Sequence, residues 1–255
     1  MLSKAKTLRG YKLASLDGDI GQVEEFYFDD QYWAIRYLVA NVGSWLTGRQ
    51  VLIAPYALVG INSERQEIAI HLTKQQIEES PALNSHKPVS KQFEEDYYKY
   101  YGWPLYWNGP YMWGYYPNIE RECEKWQVPS HDKKGWDPHL RSTHAVSGYH
   151  IHAFDGDIGC VADFIIDDEN WAIRYLIIDT KDGWPGKKVL ISTDWIERIS
   201  WSESTIFVNL HRENIKQSPE YAAELLDREY EIKLHRHYQR DGYWTGELSA
   251  RKLRP

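Results

Sequence analysis

Cysteine is scarce in this chain. The two present, Cys123 and Cys160, are too few and too far apart for a disulfide framework or a four-thiolate zinc site, and a reducing cytosol is the simplest compartment. Long apolar runs are missing as well. No stretch approaches the roughly 20 residues of a membrane span, and the basic start "MLSKAKTLRGYKLASLDGD" lacks the apolar segment of a secretory signal. The expectation is a cytoplasmic protein with no membrane span. Cations are outnumbered, since 30 Lys and Arg face 37 Asp and Glu for a formal charge of -7, which disfavours a general nucleic-acid binder. Enzyme signatures are absent too: there is no G-x-S-x-G elbow, P-loop, G-x-G-x-x-G opening a helix, or H-E-x-x-H. Neither catalysis nor a cofactor is expected. With 42% hydrophobic and 26% charged residues, what remains is ordinary globular material, enough for one large core or two small ones.

A duplication organises that material. "GYKLASLDGDIGQVEEFYFDDQYWAIRYL" at 10–38 returns as "GYHIHAFDGDIGCVADFIIDDENWAIRYL" at 148–176. The offset of 138 holds without a gap through "VLI" at 51–53 and 189–191 to "IEESP" and "IKQSP", with 27 of the 74 pairs from Gly10 to Leu83 identical. A period this long repeats a whole domain. Within it the pattern alternates. "YWAIRYLVA" places Trp33, Ile35, Tyr37 and Val39 on one face of a strand and Ala34, Arg36, Leu38 and Ala40 on the other. Strand-like runs lie near 10–16, 21–28, 32–40, 49–54, 57–62 and 66–72, separated by turn residues such as Asp17-Gly18. Thr73 with Gln76 spells a capping box for a short helix, and helical spacing runs from Tyr221 through Leu225 to Leu234 in the second copy. The expected fold is mainly β: two small antiparallel barrels, each followed by a short helix, joined by an aromatic-rich insert. The boundaries are 1–83 for the first copy, 84–147 for the insert, and 148–255 for the second copy with its C-terminal helix.

The order of glycine-aromatic, D-G-D-I-G-x-V, acidic residues before a strand, V-L-I and a short helix closing on Ser-Pro resembles the PRC-barrel domain. That family includes the cytoplasmic domain of the photosynthetic reaction-centre H subunit and the C-terminal domain of the ribosome maturation factor RimM. The resemblance covers about 10–83 and 148–221. Pro55 stands in the family's place after V-L-I in the first copy, and Thr193 replaces it in the second. The resemblance implies a binding and docking barrel with no catalytic motif. The membrane anchor of the H subunit and the N-terminal barrel of RimM have no counterpart in this sequence, so neither function carries over whole.

Two sets of side chains could bind ions. Asp17, Asp19, Asp29 and Asp30, with Asp155, Asp157, Asp167 and Asp168, would suit calcium or magnesium if loops converged, but D-G-D is also a good hairpin turn. The turn reading is preferred. An Arg inside an apolar strand needs a partner, so Arg36 and Arg174 are assigned to internal ion pairs with these carboxylates. His150 with His152, and His235 with His237, could each face a metal, yet no third ligand stands at a recognised spacing. No metal site is assigned.

The insert holds eleven Tyr or Trp between Tyr97 and Tyr116. Trp103, Tyr106, Trp107, Tyr111, Trp113, Tyr115 and Tyr116 are the candidate binding residues, because Tyr and Trp anchors carry much of the affinity at protein interfaces. The competing assignment is packing, either inside the chain or in a homodimer. The "HYQRDGYWTG" at the end of the second copy resembles "YYGWPLYWNG", so part of the run can be a tail packed on its own barrel. The functional expectation is a non-enzymatic adaptor that recognises a protein or macromolecular assembly. Alternatives are a RimM-like assembly factor, the one role in which nucleic acid would be met, and an H-subunit-like or metal-binding regulatory protein.

Overall fold

Alternation in the first repeat becomes strands, and the turn residues between them become turns. The computed structural model describes residues 1–42, 49–81, 83–84, 89–105, 139–180, 187–223 and 226–245. The chain opens with β1 (Leu2–Lys4) and one helical turn, α1 (Ala5–Leu8). Then come β2 (Lys12–Ser15), β3 (Gly18–Asp29), β4 (Ala34–Asn41), β5 (Arg49–Ile53), β6 (Leu58–Asn62), β7 (Glu67–Ile70) and α2 (Lys74–Glu78). The α2 start carries the full capping box, with Thr73 and Gln76 each accepting from the other's backbone N–H. β8 (Leu83–Asn84) and α3 (Lys91–Tyr101) follow. The second repeat gives β9 (Leu140–Ser142), α4 (Thr143–Val146), β10 (His150–Ala153), β11 (Gly156–Asp167), β12 (Ala172–Thr180), β13 (Lys188–Ser192), β14 (Ile196–Ser200), β15 (Thr205–Val208), α5 (Arg212–Lys216) and α6 (Arg228–His237).

The structural repeat is therefore longer than its sequence signature. β1 and α1 recur as β9 and α4 at the same offset of 138, while α3 recurs as α6 at an offset of 137. Helix α3, inside the aromatic insert, belongs to the first repeat.

The fold is mainly β, built on a mixed sheet that does not close. The chain divides into two units. One comprises Met1, Ser3–Ala145 and Ile166–Arg174; the other comprises Leu2, Val146–Ile165 and Tyr175–Pro255. In the first, the strand order is β4-β3-β2-β7-β6, with β5 on the far side of β4 and β9 also pairing with β3. In the second, the order is β14-β15-β10-β11-β12, with β13 on β12. The expectation of wholly antiparallel units needs correction, because β2 runs parallel to β7 and β10 parallel to β15. The reason is local. β5 and β6 run in the same sense through the 3₁₀ turn at Pro55–Ala57, so β7 returns alongside β2 in parallel.

The centre of the first unit is β4, where every residue from Ala34 to Ala40 is buried on both faces. Trp33 departs from the alternation read in the sequence. Its φ of 52° is left-handed, as is that of Trp171 at 57°, and both N–H groups close a turn on the carbonyls of Asp29 and Asp167. The strand begins one residue later, and the Trp33 ring stacks on Phe28 at 5.2 Å. The first unit includes the matching turn of the second repeat: Ala172 pairs with Ala34, Ile173 N–H donates to Trp33 O, and Ile35 N–H donates to Trp171 O. At the other end of the chain, α6 spans Arg228–His237 after the Asp227 cap, and Tyr221, where the helical spacing was read to begin, donates its N–H to the Lys188 carbonyl at 2.8 Å.

Candidate functional site

The repeated D-G-D loop shows how local chemistry uses these carboxylates. Gly18 and Gly156 take φ of 128° and 133° at the hairpin tips. Asp17 Oδ1 accepts from Ser15 Oγ and from Lys74 N–H, both at 2.8 Å, and so caps α2; Asp155 Oδ1 accepts from Arg212 N–H at 2.8 Å and caps α5. Those backbone donors hold both carboxyls below the usual carboxylate range. The next glycine has a different task. A Cβ on Gly21 or Gly159 would lie 2.1 Å from the carbonyl oxygen of Asn41 or Asp179, so only glycine lets β3 and β11 pass their neighbours there. Asp19 pairs in register with Ala14, and Asp157 faces His152 Nδ1 at 2.7 Å.

Between the turn and the cap, each hairpin raises one apolar side chain into solvent. Leu16 is 60% exposed and Phe154, at the equivalent position, is 78% exposed. Both are held by the backbone, through Leu16 N–H to Leu72 O and Phe154 N–H to Leu210 O, each at 2.9 Å. His211 packs edge-on to Phe154 at 5.3 Å.

The second acidic pair turns inward. Asp29 Oδ1 accepts from Gln31 and Tyr32 N–H, while Arg36 Nη1 reaches Oδ2 at 3.4 Å; burial pushes this carboxyl up against the pull of Arg36. Arg174 binds Asp167 Oδ2 through both Nε (3.0 Å) and Nη2 (2.9 Å). Asp30 holds His139 and Arg141 at 2.9 Å each, and Asp168 pairs with the amino terminus. Among the described residues no group of three or more His, Cys, Asp or Glu could hold a metal ion.

The residues that the sequence did not single out are two glutamates on the helices. In the first unit α3 starts at the Ser90 cap and stops at Gly102, whose φ is 68°. From it, fully buried Glu94 accepts from Arg36 Nη2 and, at 2.8 Å, from Tyr37 OH on one oxygen, Oε1. Tyr97 OH donates to Leu52 O at 2.9 Å and accepts from Ala54 N–H at 3.1 Å, fastening the helix to β5 and the turn after it. Burial raises the Tyr97 and Tyr98 hydroxyls well above the ordinary tyrosine range. Trp103 is half-buried, stacked on Tyr101 at 4.4 Å and lying 5.6 Å from Tyr56. Tyr106, Trp107, Tyr111, Trp113, Tyr115 and Tyr116 lie outside the described residues.

In the second unit α6 starts at the Asp227 cap, and the matching Glu231 receives Tyr175 OH (2.9 Å) and Tyr243 OH (3.0 Å), with Arg228 Nη1 3.0 Å from its other oxygen. His235 stands where the first repeat has Tyr98. Its Nε2 is 3.0 Å from Tyr175 OH and its Nδ1 2.9 Å from Asp241 O. Arg228 lies over the Trp244 ring at 4.5 Å and the Tyr243 ring at 5.3 Å. His237 Nε2 is 2.7 Å from Asn214 O, so it and His235 are committed to different backbone oxygens.

A signal for these glutamates was present. "FEEDYYKYYG" and "YEIKLHRHYQ" share Glu94 with Glu231 and Tyr101 with Tyr238, and Tyr106-Trp107 align with Tyr243-Trp244 at the same offset of 137. Comparison with protein-family models gave no match, and comparison with curated proteins gave none either.

Proposed function

We propose that this chain is a non-enzymatic, cytoplasmic binding protein of tandem PRC-barrel type, which docks onto a protein partner through the hairpin tips of its two repeats. The observation that carries the reading is the equivalence of Leu16 and Phe154. Each is a large apolar side chain in water, on a hairpin whose backbone is tied to the strand and helix beside it. Left in water, an apolar side chain gains little, even with His211 beside Phe154, whereas a partner's apolar pocket would bury it at a gain of about 1.5–3 kcal/mol. The rigid hairpin means that little ordering entropy opposes binding. Pairing of the acidic residues inside the fold also supports a scaffold over a reaction centre, since Glu94 and Glu231 serve to seat helices. The insert rings Tyr106, Trp107, Tyr111, Trp113, Tyr115 and Tyr116, outside the described residues, are assigned to partner binding on composition alone.

The test replaces Leu16 and Phe154 by Ser together. Folding should be unchanged to within about 0.5 kcal/mol, as for surface substitutions generally. Quantitative capture from native lysate should then lose one reproducible protein that the parent chain retains, and purified partner should bind the variant at least tenfold more weakly. Equal binding by parent and variant sinks the reading.

A further inference from the structure

The outward face of the second unit's sheet differs from that of the first along one row of cross-strand neighbours. Arg198 on β14, Phe207 on β15, His152 on β10 and Asp157 on β11 stand in register, where the first repeat has Gly60, Ala69, Ala14 and Asp19. Ile206 and Val208 on either side of Phe207 are buried, as are Ile151 and Ala153 around His152, so the row points away from the core. Ahead of the shared aspartate, one copy has bare backbone and methyl groups; the other has large side chains on three strands. The Arg198 guanidinium carbon lies 3.4 Å from the centre of the Phe207 ring, and the His152 ring is 5.3 Å from the same ring. Stacking uses the flat face of a guanidinium and leaves its N–H edge unspent. Among the described residues Arg198 makes no hydrogen bond or ion pair. The acid of its own row, Asp157, is taken by His152 Nδ1 at 2.7 Å.

We propose that this row reads a carboxylate, and that the partner of the second repeat is an acidic peptide segment with a Glu or Asp beside an apolar side chain. The inference rests on docking through the Phe154 tip and extends it. β10 alternates, with His150 and His152 outward and Ile151 and Ala153 inward, so Phe154, next in the chain, rises on the side that carries the row. An apolar contact at Phe154 and a charge at Arg198 thus belong to one face. Phe207 holds the guanidinium flat before a partner arrives, which lowers the ordering cost of a forked bond to a carboxylate. A polyanion fits poorly. Nucleic acid and anionic lipid draw on several clustered cations, whereas Arg198 has Glu197 beside it on β14 and Glu203 in the next turn, and the chain carries a formal charge of -7. The equivalent row of the first repeat has no guanidinium, so the two tips differ in what they select.

The experiment follows the ¹⁵N-labelled full chain by NMR, reading the Arg198 Nε–H signal as the probe acetyl-Leu-Glu-Leu-amide is added. The signal should shift and saturate, and the uncharged acetyl-Leu-Gln-Leu-amide should bind at least about fivefold more weakly, because the charge-assisted bond is lost. Arg198→Gln should weaken the Glu probe by about fivefold to tenfold. Arg198→Lys, which keeps the charge without the planar fork, and Phe207→Ala, which copies Ala69 and removes the stack, should each weaken it at least about threefold. Lys12→Gln, at an exposed cation on the sheet of the first unit, should change nothing. The proposal is overturned by equal binding of the Glu and Gln probes, by an Arg198 signal that ignores both, or by a short oligouridylate or phosphatidylserine vesicles binding more tightly than the Glu probe. The two probes on the unsubstituted chain decide even if a variant fails to fold. Equal probes, with capture still lost on replacing Leu16 and Phe154, remove the row and leave the tips; unchanged capture, with the probes still distinguished, removes the tips and leaves the row.

Discussion

The two repeats seat the same helix on the same strand, yet they neutralise its glutamate differently. In the first, Glu94 meets Arg36, a wholly buried cation rising from β4 and shared with Asp29. In the second, the equivalent Arg174 binds Asp167, and Glu231 is paired with Arg228 on its own helix, whose side chain is 52% exposed. The position of the glutamate is common to both, and so is its tyrosine donor, Tyr37 or Tyr175. What the fold demands is compensation of a buried carboxylate, and the source of the charge is free to move. His235 stands where the first repeat has Tyr98, so the second repeat carries an imidazole beside its tyrosine donor where the first carries a phenol.

The sharpest way to break this comparison is to remove each cation. Arg36→Met leaves Glu94 and Asp29 buried without their partner and should cost about 3–5 kcal/mol, while Arg36→Met with Glu94→Leu should recover much of the loss. Arg228→Met should cost less, about 1–3 kcal/mol, because water reaches Arg228 and the Tyr175 and Tyr243 hydroxyls still donate to the buried Glu231. Urea unfolding of the variants in parallel reads the difference, and equal losses would show that burial does not distinguish the pairs. Next in size, Gly21→Ala and Gly159→Ala should each cost about 3 kcal/mol, as a clash in close packing does, with Gly21→Ala the larger because its φ of 136° strains any side chain.

Acid should separate the repeats again. His235 has a lowered folded pKa, so the unfolded chain takes up a proton first as pH falls below about 6.5, and the stability that the neutral ring contributes is lost progressively there. His235→Tyr, which copies the first repeat, should remove that part of the acid dependence in melts recorded across this range. The smallest effect is expected at the hairpins. Asp17 and Asp155 have lowered pKa values, so their contribution is present above the unfolded value near 3.8 and lost as pH falls through the folded one. Asp17→Ala and Asp155→Ala should speed amide exchange at Lys74 and Arg212 about equally, with global stability barely changed.

Strands were readable because alternation and turn chemistry agree at each one, as at β4 and the D-G-D hairpins. Both arginine pairs lay within reach of sequence reasoning for the same reason, since an apolar strand has no other use for a guanidinium. Glu94 and Glu231 were harder to find, although they align at the offset of 137. The repeats slip by one residue between Pro81 and Ser90, which breaks the alignment just before the helices, and the density of rings after Tyr97 draws attention from a single acidic residue. Trp33 was placed on a strand face because periodicity reads side chains, whereas its left-handed φ is set by a backbone bond to Asp29. Parallel pairing escaped too, because it depends on whether Pro55–Ala57 reverses the chain, and no alternation pattern records direction.

The first unit draws on residues 139–145 and 166–174, far beyond the first repeat in the chain. During synthesis this imposes a wait. At about 5–20 residues per second the ribosome needs roughly 5–20 s to pass from the end of the first sequence repeat to Arg174. Before residues 139–142 are made β3 lacks β9 and Asp30 lacks His139 and Arg141, and until 172 is made Ala34 has no Ala172 beside it. A nascent chain arrested between the repeats would thus expose an unfinished sheet edge to any chaperone or neighbouring polysome.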